Sequence, residues 1–166
     1  MKSMGLLVAS ALLAACGTNQ FEQELALEQA AVPLARQTVA GGYALVTAGE
    51  LAQWLDAKKD VLLVDCMPYA ESFAKEHLPG ARNFLFPKEE MSAWDPSQTG
   101  GKSEADFEAF LGPDRGRTVV FYCGYVKCPR SHNGALWAAR RGYSSVVRFA
   151  GGIDAWKGAG RPLEKD

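Results

Sequence analysis

The chain has only two histidines and four cysteines. A structural zinc site needs four ligands at paired spacings, and "CGYVKC" with the nearby His132 falls short of that, so no metal is expected. Acidic and basic side chains nearly cancel, leaving a formal net charge of −1. With no basic field and no RNA- or DNA-binding module, nucleic acid is excluded as the expected partner. Internal repeats and low-complexity tracts are also missing, and the apolar run at residues 4–15 is too short to span a bilayer. What is present, 166 residues that are 48% hydrophobic and 22% charged, suits one globular domain.

The opening "MKSMGLLVASALLAAC" carries Lys2, then the apolar run, then small residues. This fits the core of a secretory signal. Its end, Leu13-Ala14-Ala15-Cys16, resembles the lipobox of bacterial lipoproteins. That resemblance implies a signal peptide at residues 1–15, lipidation of Cys16, and firm anchoring by several acyl chains. Gly17 after the cysteine favours the outer membrane, with the domain facing the periplasm. Residues 16–42 read as a lipid-anchored tether, in part helical and broken at Pro33, and residues 43–166 as the folded domain. Three cysteines then remain, Cys66, Cys123 and Cys128. An odd count leaves at least one unpaired thiol in an oxidising compartment, which needs a reason.

From residue 43 the punctuation alternates. "YALV" predicts a short strand. Thr47 with Glu50 forms a capping box for a helix that buries Leu51, Trp54 and Leu55. "DVLLVDC" is a buried strand, and Pro68 opens a second helix, "PYAESFAKEH". "ARNFLF" is a short extended piece, and residues 87–102 form a long polar excursion with a helical turn, placed to fold over the site. Ser103 caps a helix with Phe107, Phe110 and Leu111 inward. "RTVVFYC" is the most apolar strand and should be central. Ser131 caps "SHNGALWAARRGY", closed by Gly142, before a last strand "SVVRF" and a short helix "GGIDAWKGAG". Short strands alternating with ten-residue helices predict an α/β fold, a mainly parallel sheet with helices on both faces.

In such sheets, ligands and catalytic groups gather where strands end and helices begin. Cys123 ends the central strand and Ser131 starts the next helix. The tight loop between them can aim backbone amides inward beside the positive helix end, which makes an anion cradle. A cysteine there is held as a thiolate, with a pKa of roughly 3.5–7.5. Lys127 and Arg130 add positive charge. Cys123 therefore reads as a nucleophile for an anionic substrate. Cys128 can relay, resolve or merely occupy the loop, and Cys66 can be a relay thiol or an inert packed one. Asp65 reads as a structural acceptor for loop amides. His77 reads as a turn residue. His132 can relay a proton but is more simply a solvent-facing side chain. Arg130 contacts either an oxyanion or water.

Along residues 47–162 the chain resembles the rhodanese family of sulfurtransferases, through "LLVDCMPYAESFAKEHLPGARNF", "TVVFYC" and "GYSSVVRFAGGIDAWKGAGRPL". The resemblance implies a single rhodanese-like domain, a persulfide on Cys123, and loop contacts to substrate from Gly124, Tyr125, Val126, Lys127, Arg130, Ser131 and His132. The implied reaction moves sulfane sulfur from thiosulfate or polysulfide to an acceptor thiol or sulfur-carrier protein, with no cofactor. Three departures stand out: Cys128 holds the place of the usual loop arginine, Asp65-Cys66-Met67 replaces Asp-x-Arg, and residues 87–102 are inserted. The longer loop also resembles that of dual-specificity phosphatases. Two other readings stay open, a dithiol/disulfide oxidoreductase using Cys123 with Cys128 or Cys66, and a non-catalytic module that binds sulfur compounds or anions.

Overall fold

The computed structural model describes residues 19–166; the expected signal peptide (1–15) and lipidation site Cys16 lie outside the described residues. The domain is an α/β fold on one five-stranded, wholly parallel sheet. The strands are β1 (Ala44–Leu45), β2 (Val61–Asp65), β3 (Arg82–Asn83), β4 (Thr118–Tyr122) and β5 (Val146–Phe149), in the order β1-β5-β4-β2-β3. As its apolar composition predicts, β4 is central.

Side chains alternate across β4 with the period of two that a pleated strand imposes. Val119, Phe121 and Cys123 enter one apolar cluster, with Phe84, Phe86, Phe107 and Trp137; Val120 and Tyr122 enter the other, with Leu51, Phe149 and Trp156. Cys123 is thus the last residue of the face that packs under α4 (Arg130–Arg140). There the helix comes very close: a Cβ at Gly134 would stand 2.6 Å from the Phe121 ring and 3.1 Å from Cys66 Sγ. Capping boxes start α2 (Ala48–Asp56) at Thr47 and α3 (Glu104–Leu111) at Ser103, where the sequence places them. The short helix α5 (Gly152–Gly158) follows β5.

Three expectations change. The segment expected to be a tether broken at Pro33 contains one continuous helix, α1 (Gln20–Gly41), with Pro33 inside it. Proline removes one amide from the ladder. The covered stripe Ala30, Leu34, Gln37, Thr38 and Gly41 holds the C-terminal half in place all the same. Next, "PYAESFAKEH" makes only one wide turn, Tyr69–Phe73. His77 stacks on Phe73 at 4.0 Å, and its backbone pairs with Glu164 instead of continuing a helix. Finally, residues 87–102 pack on α4. Asn133 Nδ2 donates to the carbonyls of Pro87 (3.0 Å) and Glu89 (2.8 Å), Trp137 Nε1 donates to Met91 O (3.0 Å), and the Trp94 and Trp137 rings meet at 5.1 Å. The excursion is anchored by its aromatic and backbone contacts.

Candidate active site

The loop at residues 123–129 joins β4 to α4, and its two ends are held differently. At the start, the Cys123 and Gly124 carbonyls accept the amides of Ile153 and Asp154, each at 3.0 Å. Gly152 makes this approach feasible: its φ is +57°, and a Cβ there would stand 2.1 Å from Cys123 O. At the far end Pro129, with φ −83° and ψ −8°, leads into α4 without any side-chain cap. Ser131 does not cap the helix. Its hydroxyl turns inward, 3.2 Å from Cys123 Sγ.

The residue that organises the loop is Arg148, an interior position of β5 that the sequence reading passed over. It is 1% exposed. Nε donates to Ser131 Oγ at 2.9 Å, Nη2 to Cys128 O at 2.9 Å, and Nη1 to Gln37 Oε1 at 2.7 Å and to Tyr43 Oη at 3.4 Å. Among the described residues no carboxylate pairs with it. Its signal in the sequence was a charged residue inside the apolar run "SVVRF", since an unpaired charge is not buried without a polar role. Gln37 brings α1 into the same network, so the helix read as a tether supplies a contact to the site.

His132 is buried, contrary to the solvent-facing expectation, with Nδ1 2.7 Å from Tyr43 Oη. Tyr43 Oη also accepts from Arg148 Nη1 at 3.4 Å, so the guanidinium and the imidazole meet at one hydroxyl. Burial and then the Arg148 charge lower the His132 pKa to about 4, so the ring is neutral at ordinary pH.

The thiols differ from expectation. Cys123 Sγ is buried and donates to Cys128 O at 3.3 Å, which requires its proton. Burial, and then the hydrogen bond and charge of Cys128, push its pKa up. The electrostatics of the loop favour the other sulfur. The Cys123 thiol, the Arg130 and Gly124 amides and the Arg130 charge bring Cys128 down to about 6, against the opposing effect of burial. Cys66 is a core thiol, pushed up by burial and directed at Val64 O at 3.9 Å. The remaining loop residues divide by exposure. Tyr125, Val126 and Lys127 form an exposed tip, Gly124 is half-buried, and the Arg130 guanidinium is turned onto the Phe86 carbonyl. Asp65 Oδ1 accepts the Met67 amide at 2.8 Å while Oδ2 is buried without a partner; burial raises this carboxyl to about 6. A cavity of about 340 Å³, with an apolar lining that includes Leu34, Val126, Phe149 and Ala150, flanks the loop between α1 and β5.

The rhodanese-like domain family matches residues 47–159. No curated protein matches the chain. Among solved structures, a thiosulfate sulfurtransferase from Pseudomonas aeruginosa is similar at 19% identity and TM-score 0.58 over 80% of this chain, which spans 22% of that protein. The polysulfide-sulfur transferase homodimer from Wolinella succinogenes is similar at 13% identity and TM-score 0.54, covering 88% of this chain and 92% of that one. A Rhodopseudomonas palustris protein of unknown function, described as a possible tyrosine phosphatase, is similar at 24% identity and TM-score 0.53, with 79% and 90% covered. At these identities the likeness is one of fold.

Proposed function

The chain belongs to the rhodanese-like domain family, and on that premise we propose that it is a sulfurtransferase, carrying sulfane sulfur from thiosulfate or polysulfide to an acceptor thiol or sulfur-carrier protein as a persulfide on Cys123. The observation that carries this reading is the pair of thiols in one loop, Cys123 at the end of the central strand and Cys128 as the group stabilised as thiolate. Cys128 serves as base: it takes the Cys123 proton, and the Cys123 thiolate attacks the outer sulfur of the donor. One S–S bond forms and one breaks. Thiosulfate leaves as sulfite and polysulfide as a chain one sulfur shorter. Arg148, through Ser131, holds positive charge behind the new persulfide anion. In the same proposal the chain is exported and lipid-anchored through Cys16, facing the periplasm.

A phosphatase reading is weaker. The Arg130 guanidinium, which would bind phosphate oxygens, is engaged by the Phe86 carbonyl. The test is the mass of the purified chain before and after exposure to each donor. Trypsin cuts after Lys127 and so separates the two cysteines. Gain of one reducible sulfur on the peptide holding Cys123, absent in Cys123→Ser, is the expected result; no uptake from either donor overturns the proposal.

A further inference from the structure

We infer that this protein has a second activity, the release of its bound sulfane sulfur as sulfide, in which Cys128 resolves the Cys123 persulfide by forming a Cys123–Cys128 disulfide. The inference rests on the proposed persulfide. The step begins when the Cys128 thiol, protonated while it served as base, returns that proton to the terminal sulfur. The Cys128 thiolate then attacks Cys123 Sγ. The bond between Cys123 Sγ and the carried sulfur breaks, and that sulfur leaves with the bonding pair as HS⁻. Two thiols are oxidised to one disulfide and one sulfane sulfur is reduced to sulfide, so release needs no further reagent. An external dithiol reductant returns the site to the reduced form, in which both thiols are free.

Four observations support this assignment. First, Cys123 Sγ lies 3.3 Å from residue 128's own carbonyl oxygen, so the loop folds residue 128 back onto the strand-end sulfur. An attacking group held in the same loop outcompetes a diffusing thiol by its effective concentration. Second, the cradle amides of Gly124 and Arg130 stabilise the attacking sulfur as thiolate, which is the reactive form. Third, Arg148 is a buried cation without a carboxylate partner among the described residues, and it donates to Cys128 O. The buried cation thus fixes the backbone of the residue that carries the attacking sulfur. Fourth, Cys123 is 0% and Cys128 5% exposed, so an external thiol meets Cys128 first, whereas Cys66 is enclosed beneath Phe121 and Gly134.

The experiment uses the reduced full chain and one equivalent of benzenethiosulfonate, without reductant. Its leaving group is a sulfinate, so any sulfide must come from the persulfide. Wild type should release about one sulfide per chain and lose two hydrogens in mass, and non-reducing trypsin digestion should link the peptides at residues 118–127 and 128–130. Cys128→Ser, which lacks the base and so loads more slowly, should keep whatever sulfur it takes up and release no sulfide. Wild type that stays persulfidated without releasing sulfide overturns this inference and leaves sulfur transfer standing, as does equal release from Cys128→Ser. No sulfur uptake by wild type or variant overturns the transfer reading, and the inference with it. Because the linked peptides are read in wild type alone, the outcome does not depend on how Cys128→Ser folds.

Discussion

Arg148 Nε donates to Ser131 Oγ at 2.9 Å, and that one bond holds the Ser131 oxygen inward at the end of the central strand. The same oxygen lies 3.2 Å from Cys123 Sγ, which is placed to donate to it. A buried cation on β5 thereby reaches the strand-end sulfur through a neutral hydroxyl, while a second guanidinium nitrogen holds the far end of the same loop at Cys128 O.

Replacing Arg148 tests this arrangement. Arg148→Met removes an expensive buried charge but strands the Ser131, Cys128 and Gln37 acceptors, each worth about 1–3 kcal/mol when left buried and unpaired. The stranded acceptors outnumber the charge relieved, so urea unfolding should show a net loss of about 2–4 kcal/mol. Arg148→Lys has no fork to reach Ser131 and Cys128 together. Its sulfur-loading rate should fall roughly tenfold even where the fold survives; unchanged loading in Arg148→Lys would remove Arg148 from the site.

Gln37→Leu asks whether α1 belongs to the site. The substitution keeps helix propensity but deprives Arg148 Nη1 of its 2.7 Å acceptor. A stability loss of about 1–2 kcal/mol, together with slower sulfur loading, is expected. Gln29→Leu, one helix face earlier, should do neither. Equal behaviour of the two variants would return α1 to the role of a tether.

Much of this was legible in the chain and some was not, for identifiable reasons. The central strand, the capping box at Thr47, the cap at Ser103 and the glycine-marked start of α5 are local signals, written in neighbouring residues, and all are found. Arg148 was missed because its four hydrogen-bond partners, Gln37, Tyr43, Cys128 and Ser131, come from three distant segments. The choice between Ser131 as helix cap and Ser131 as a contact to sulfur depended on that same arginine. Strand end and helix start predict an anion cradle, but which of its two thiols the charges favour depends on the path of the loop, which no local pattern gives.

Gly152→Ala should be among the most damaging single changes outside the thiols. The added Cβ meets Cys123 O at 2.1 Å and the backbone has φ +57°, so both sterics and conformation oppose it. A loss of about 2–4 kcal/mol and displaced thiol reactivity are expected. Gly158→Ala, in the same helix with open space around it, is the control and should be neutral or slightly stabilising. Matching effects of the two would mean the Cys123 carbonyl can move aside freely.

Asp65 sets a pH dependence of stability. Burial raises its folded pKa to about 6, above the roughly 3.9 of an unfolded aspartate. The folded state therefore holds the proton more tightly. The stability this gives is fully present below the unfolded value and is lost as pH rises through about 6. Urea midpoints should fall from pH 4 to 7 by an amount worth up to ~3 kcal/mol. In Asp65→Asn, which keeps an oxygen for the Met67 amide, that component should vanish. A slope of the same size in both proteins would assign it to other groups.

The thiol pair makes the sharpest pH prediction, because its two members are expected to answer differently to one reagent. Cys128 is held as thiolate above about pH 6 chiefly by the Cys123 thiol and by the Arg130 and Gly124 amides. Its alkylation by iodoacetamide, followed on the short tryptic peptide at residues 128–130, should rise through a midpoint near that value. Cys123, pushed up by burial and by its neighbour's charge, should lag at every pH below 8. Cys123→Ala removes the largest stabilising partner while burial, which opposes ionisation, stays. The Cys128 midpoint should then move upward by about one unit or more, toward that of an ordinary thiol near 8.5. Sulfur loading in wild type should follow the same rise, since the Cys128 thiolate is the base for Cys123. Faster labelling of Cys123, or a Cys128 midpoint that ignores Cys123→Ala, would break the link between the two thiols.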